Sequence, residues 1–376
     1  MAYVFVICIF VVLYVYFLFP LLLKVAGLCA QPLETRPIEP FVTLFVAAYN
    51  EGKVIKEKLE NSLSLNYPLD KIEIVVASDG STDDTTEIVN GFSDKRVILF
   101  ESLKRGGKNS VINEFINRCK GEVIVFTDAN SFFEPDAIIK LTRNFTEEKV
   151  GCVVGKLKYV DEKNAVGRGE GLYFRYESML KGLESTHGTV VAATGSIYAM
   201  RKKLFTQLDL DIANDFAHPI QISAKGYRVV FEPEAVALEK ATASTHEEFK
   251  RRVRIVTRGF TAFVRYWRRY DMLKGMWGFC FISHKLLRWF VPFFLIAITI
   301  INLTLLESPL FRIILYVQLA FYSLALIGVF LRGSKFGKPF TVPFYFCLIN
   351  TAALVGIIKY FTGNRQAIWE TAKSTR

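Results

Sequence analysis

Residues 1–23 form an uncharged, strongly apolar block, long enough to cross a hydrocarbon core of roughly 30 Å. A signal peptide would offer a basic start and a small-residue cleavage site, so a retained anchor is expected. A linker broken by Pro37 and Pro40 follows. Short apolar, β-branched runs then take turns with polar amphipathic stretches. Residues 41–48, 71–78, 96–100 and 123–127 read as buried strands. The stretch to about Ser64, the stretch through Glu87 and Val89, and residues 109–118 read as helices. Strand alternating with helix predicts a parallel sheet with right-handed crossovers. Late in the chain, residues 289–306, 313–331 and 339–358 are again uncharged, each near the roughly 20 residues of a spanning helix. Residues 339–361, interrupted by Pro343, Asn350 and Gly356, are expected to bend or re-enter rather than span as one straight helix.

The strands run into polar residues at their C-terminal ends: Ala48-Tyr49-Asn50-Glu51, Ser78-Asp79-Gly80-Ser81, and Thr127-Asp128-Ala129-Asn130. In an open α/β sheet that edge is where ligands bind. Asp128 and Asn130, two apart on an extended segment, project on one side. They can share a divalent cation or bridge a ribose and a cation through oxygen ligands; a plain Asp/Asn turn is the alternative. Lys104-Arg105-Gly106-Gly107-Lys108-Asn109-Ser110 is not a P-loop, because Ser102 stands where the first glycine is required. What is left is a glycine pair flanked by cations that opens a helix. It suits a diphosphate, or is an ordinary basic loop.

Composition sharpens this picture. With 51% hydrophobic and 14% aromatic residues among 376, the chain is too apolar for an ordinary soluble protein. The net charge of +11 is concentrated: eight Lys and Arg lie between Lys250 and Tyr270, with no acidic residue among them. Just ahead of an apolar window, they imply positive-inside topology, a cytoplasmic globular region and contact with anionic lipid. Nucleic acid is excluded as a partner, since the sheet edge is acidic. Residues 250–266 and 273–287 mix cationic and apolar positions as interfacial helices do, with Trp267, Trp277 and Trp289 expected at the headgroups. The six cysteines form no Cys-x-x-Cys pair, so reduced thiols and no zinc site are expected. The chain thus divides into an anchor (1–30), a globular domain (31–245), a basic interfacial region (246–288) and a membrane region with a tail (289–376).

These motifs, in this order over about residues 42–259, resemble the family 2 inverting glycosyltransferases, and most of all their membrane-embedded branch of hyaluronan, poly-N-acetylglucosamine and cellulose synthases. The resemblance implies an α/β, Rossmann-like GT-A domain with a mostly parallel sheet. Ala48, Tyr49 and Glu51 would form the first wall of the nucleotide pocket, Asp79 would hydrogen-bond the base and Lys108 would approach the diphosphate. Asp128 and Asn130 occupy the family's metal-binding Asp-x-Asp, which takes Mg²⁺ or Mn²⁺. Asn130 stands where a second Asp is usual, and a neutral ligand weakens the metal.

The acceptor half is implied in the same way. Residues 192–196, including Gly195 and Ser196, resemble the small-residue loop that admits an acceptor sugar; a tight turn before a strand at 197–200 is an equal reading. Asp215 in Ala213-Asn214-Asp215-Phe216 falls where the family carries Thr-Glu-Asp, which makes it the candidate general base, with a helix N-cap as its alternative. In Arg251-Arg252-Val253-Arg254-Ile255, at the place of Gln-x-x-Arg-Trp, Arg254 would hold diphosphate. Ile255 replaces the Trp that stacks on the acceptor, which bears on polymerisation and not on transfer. The tail's Trp369 resembles a residue near the active-site mouth and is expected to close over the donor pocket.

The implied activity is transfer from a UDP- or GDP-sugar to a growing surface polysaccharide at the inner membrane, with a single transfer to a lipid-linked acceptor as the alternative. A transporter or channel subunit that senses nucleotide-sugar is disfavoured, because the apolar windows lack ionisable residues that would mark a pathway.

Overall fold

The structure is a computed structural model that describes residues 1–31, 33–160, 165–241, 244–331 and 335–363. The strands are β1 (Val42–Ala48), β2 (Ile72–Ser78), β3 (Val97–Glu101), β4 (Val123–Asp128), β5 (Phe132–Phe133), β6 (Val150–Val160), β7 (Tyr198–Arg201) and β8 (Arg228–Lys240). They form one sheet in the order β3-β2-β1-β4-β7-β6-β8-β5. The β3-β2-β1-β4 half is parallel. In the other half β7 runs antiparallel to both β4 and β6, β6 and β8 are parallel, and β5 closes the edge antiparallel to β8. Every residue of β1 and β2 is buried. Their side chains alternate between two cores, Phe45, Ala47, Val75 and Ala77 in one and Leu44, Val46, Ile74 and Val76 in the other, as a sheet covered on both faces requires.

Among the described residues, four helices are long and apolar enough to cross a membrane: Ala2–Ala26, Gly275–Leu303, Pro309–Leu331 and Thr341–Phe361. The chain is therefore a membrane protein. The stretch 273–287, read as a separate interfacial helix, instead runs continuously into the next apolar run. Trp277 and Trp289 are buried in the protein, Trp277 stacked on Phe281 at 5.4 Å, and do not stand free at a headgroup layer.

The expected bend in residues 339–361 does not occur, since Thr341–Phe361 is one helix. Pro343 lies in its first turn, where no N–H partner is needed. Asn350 turns its amide onto the Phe346 carbonyl at 2.9 Å. Gly356 admits the amphipathic helix Thr245–Tyr266: a Cβ there would come within 2.9 Å of Val256, and Thr257 Oγ1 donates to the Gly356 carbonyl at 3.0 Å. Ser244 caps that amphipathic helix by accepting from the Glu247 N–H.

Candidate active site

The ends of β1 and β2 are joined where the Asp79 N–H donates to the Ala48 carbonyl at 2.9 Å. Both oxygens of the Asp79 carboxylate accept backbone N–H groups, from Gly106 at 2.7 Å and Gly107 at 2.8 Å. Gly107 has φ +91°, a conformation that side-chain-bearing residues rarely adopt, and it opens the helix Lys108–Phe115. Burial pushes the Asp79 carboxyl up, against those two hydrogen bonds. Asp79 thus shapes the glycine loop. Tyr49 lies beneath the Arg105 guanidinium, which stands 3.9 Å from its ring centre, and the backbone N–H of buried Glu51 donates to Thr85 Oγ1 at 2.8 Å. Ala48, Tyr49, Glu51 and Asp79 form one neighbourhood at this edge.

Lys108 leads from there into a cavity of about 350 Å³, which Asp128, Asn130, Gly195, Ser196, Asp215, Arg254 and Ile255 also line. The Lys108 ammonium stands 2.5 Å from Asp128 Oδ1. A Cβ on Gly195 would lie 3.3 Å from Asp215 Oδ2 and 3.7 Å from Asp128 Oδ2. The two carboxylates, one at the end of β4 and one on the helix Asn214–Ala224, therefore face one small volume beside Gly195, where an added Cβ would crowd Asp215.

Asp215 lies in the first turn of the helix Asn214–Ala224, whose N-cap is Ala213, so the capping alternative does not hold. Its carboxyl is raised by burial, held back by Lys108, raised further by Asp128 and lowered by Arg258 and Lys181. A carboxylate raised in this way is better matched to accepting a proton near neutral pH. Behind it Asn214 donates to the Tyr198 hydroxyl at 2.6 Å, and that hydroxyl meets His218 Nδ1 at 2.9 Å. Burial drives His218 down to about 3, so this histidine is neutral and packs the floor.

Several residues escaped the sequence reading. Ser131 and Ser196 both donate to Glu239 Oε1, which ties the turn after β4 to the loop 192–196. Buried Lys58 donates to Thr127 Oγ1 at 3.0 Å and to the Ser131 carbonyl, and so brackets Asp128 and Asn130 from behind. Burial lowers Lys58 to about 7. Its signal was present: Ile55, Lys58, Leu59 and Ser62 share the buried stripe of one helix. The membrane region also carries charge that the windows missed. His284, Lys285 and Arg288 fall inside the span Gly275–Leu303 and line the cavity. Trp369 lies outside the described residues.

Asp128 and Asn130 bring two hard oxygen donors to the cavity, the chemistry that suits Mg²⁺ or Mn²⁺. Among the described residues no group of three His, Cys, Asp or Glu is placed to hold a metal, so a cation here would need donors from a substrate.

Residues 43–208 match Glycosyl transferase family 2. This segment is a family 2 glycosyltransferase domain. The chain is 29% identical over 229 residues to "Probable glycosyltransferase YdaM" of Bacillus subtilis (strain 168), covering 57% of this chain and 54% of that one. It is 26% identical over 231 residues to the "Poly-beta-1,6-N-acetyl-D-glucosamine synthase" of Staphylococcus aureus (strain COL), covering 60% and 56%. The matched stretch spans little more than half the length of these relatives. Among solved structures, the "Mannosyltransferase PcManGT from Pyrobaculum calidifontis in complex with GDP-Man and Mn2+" superposes with a TM-score of 0.73 at 21% identity, covering 95% of this chain and 99% of that one. That likeness carries the fold, which is GT-A with membrane helices at both ends.

Proposed function

We propose that this protein is an inverting glycosyltransferase that moves a sugar from a nucleotide-sugar to an acceptor hydroxyl in the synthesis of a cell-surface polysaccharide. The observation that carries the reading is the convergence of Asp128 and Asp215 on the volume beside Gly195. Inversion needs one protein base. Asp215 accepts the acceptor's proton as its oxygen bonds to the anomeric carbon and the bond from that carbon to the diphosphate breaks. Lys108 and Arg254, both on the cavity wall, take the charge that develops on the leaving diphosphate. Tyr49, Glu51 and Asp79, with the Ala48 backbone, hold the nucleoside. Gly195 and Ser196 face the acceptor, and Ile255 lies beside it.

Asp128 and Asn130 would hold a divalent cation, which when bound neutralises the diphosphate. A similar chain with this fold is described with GDP-Man and Mn²⁺, which supports both a nucleotide-sugar donor and a metal. The basic run before the second span supports a cytoplasmic catalytic domain at the inner membrane.

The test is incubation of membranes containing the protein with labelled UDP-glucose, UDP-N-acetylglucosamine and GDP-mannose. Release of nucleoside diphosphate with transfer of label, lost in Asp215→Asn, is expected. Turnover that survives this substitution removes Asp215 from the mechanism, and failure of every sugar nucleotide to turn over overturns the reading.

A further inference from the structure

Glu239 stands one residue before the end of β8 and lines the cavity together with Asp128, Asn130 and Ser196. It is only 8% exposed. Its Oε1 accepts from two hydroxyls, that of Ser131 in the turn after Asn130 and that of Ser196 in the loop beside Gly195. Both hydrogen bonds that the described residues make to this carboxyl fall on Oε1, so Oε2 is the oxygen left for the cavity.

An ionised carboxylate has room for about four hydrogen bonds, and buried polar oxygens are rarely left without a partner. A neutral glutamine could join the same two loops at a far smaller desolvation cost. A carboxyl pinned at one oxygen and open at the other is suited to a ligand that completes its hydrogen bonding. The match holds in either protonation state. Burial and Asp128 raise the Glu239 carboxyl, while the two serines and Arg251 lower it; an ionised Oε2 accepts a hydrogen bond and a protonated one donates it. A sugar hydroxyl can do both.

The surroundings of Glu239 select which sugar. In the transfer proposed above, the anomeric carbon lies between the diphosphate near Asp128 and the acceptor hydroxyl near Asp215, and the transferred ring fills that interval. Glu239 is bonded to both of its borders, the turn that follows Asp128 and Asn130 and the loop that carries Gly195. That loop is tied to Asp215 in turn, since the Ala193 N–H donates to the Asp215 carbonyl at 2.7 Å.

We infer that Glu239 is a specificity-determining residue whose Oε2 hydrogen-bonds one hydroxyl of the sugar being transferred. This rests on the glycosyltransferase reading and names the group that selects the donor's sugar at the same site. Ser131 and Ser196 fix the carboxyl in advance, so a donor lacking that hydroxyl leaves a buried oxygen unpaired.

The test uses the full chain in lipid nanodiscs, with the sugar nucleotide that turns over best and its deoxy analogues, in which one hydroxyl of the transferred sugar at a time is replaced by hydrogen. Wild-type kcat/KM should fall at least about tenfold for one analogue, the scale of a hydrogen bond to a charged group. In Glu239→Ala the same analogue should be penalised less than about threefold relative to the parent donor, while the penalties for the other analogues are unchanged. Glu239→Gln, which keeps the serine bonds, should show the same narrowing, and it serves as the variant if Glu239→Ala does not fold. A carboxyl that only joined two loops would slow every donor by one factor. Penalties equal in wild type and variant for every analogue therefore overturn the inference. So does narrowing that appears with deoxy octyl glycosides as acceptors and not with deoxy donors, because Glu239 would then read the acceptor. Turnover without narrowing defeats this inference alone; no turnover of any sugar nucleotide defeats the reading beneath it.

Discussion

Lys108 and Asp128 form an ion pair at 2.5 Å, with the lysine side chain only 9% exposed. The cation expected at the diphosphate and the carboxylate expected at the metal are thereby held in one geometry. Asp128→Ala removes that pair together with an oxygen donor. Donor affinity should fall by about tenfold or more, and its dependence on Mn²⁺ should vanish with it. Calorimetric titration of the sugar nucleotide with and without Mn²⁺ checks this, and equal affinities for the wild type and variant would take Asp128 out of the donor site.

Asp215→Asn keeps the shape of the side chain and the backbone hydrogen bond to Ala193 at 2.7 Å. Transfer should drop roughly 100-fold or more, the usual worth of a general base, while the donor KM changes little. Initial rates at saturating acceptor decide the matter.

The raised Asp215 carboxyl sets the sign of a pH effect. The base must be ionised to work, so activity falls as pH drops through its pKa, and the acid limb should lie at higher pH than an unperturbed aspartate would give. Arg258 is one of the cations that lower that pKa. Arg258→Gln should therefore move the acid limb to higher pH. A limb that stays in place, or moves to lower pH, contradicts the assignment.

Lys58→Met keeps the volume of a buried side chain and deletes its bonds to Thr127 and Ser131. The turn that carries Asp128 and Asn130 loosens, and kcat/KM should fall by about tenfold, the scale of one hydrogen bond from a charged donor. Rescue by Lys58→Arg is not expected, because a planar fork does not fit a site built for an ammonium. A folded Lys58→Met protein with wild-type kinetics would limit Lys58 to packing.

Ile255 lines the cavity and is 48% exposed, but it offers no flat face to a sugar. Ile255→Trp should lower the acceptor KM and lengthen the product by adding a stacking surface. Product sizes on gel filtration test this, and identical distributions would show that the position does not touch acceptor.

Much of the donor half was legible. The runs read at 41–48, 71–78, 96–100 and 123–127 lie within a residue of β1 to β4, because β-branched blocks that end in Asp, Asn and Gly mark both a strand and its exit. The helix Ala165–Ser185 and the strands β6 and β8 were harder, since they mix charges into apolar stretches. Glu177 and Glu184 look like solvent-facing charges until His284, Lys285 and Arg288 arrive from about 100 residues further on. Glu239 likewise acquires its role only when Ser131, 108 residues away, folds against it. Local pattern finds groups delivered by strand ends. It does not find groups whose partners are set by how membrane helices close over the sheet.

The contact between Gly356 and the amphipathic helix has a mechanical side. Thr257 is bonded to the Gly356 carbonyl, and Arg254 and Arg258, three residues before it and one after it, line the catalytic cavity. A spanning helix answers a change in bilayer thickness by tilting. With backbone against side chain at this crossing, there is little slack to absorb the tilt before it reaches those arginines. Lipid acyl-chain length becomes a lever on the spacing between the arginines and Asp215, so the turnover rate should pass through an optimum as the membrane is made thinner or thicker at constant headgroup composition.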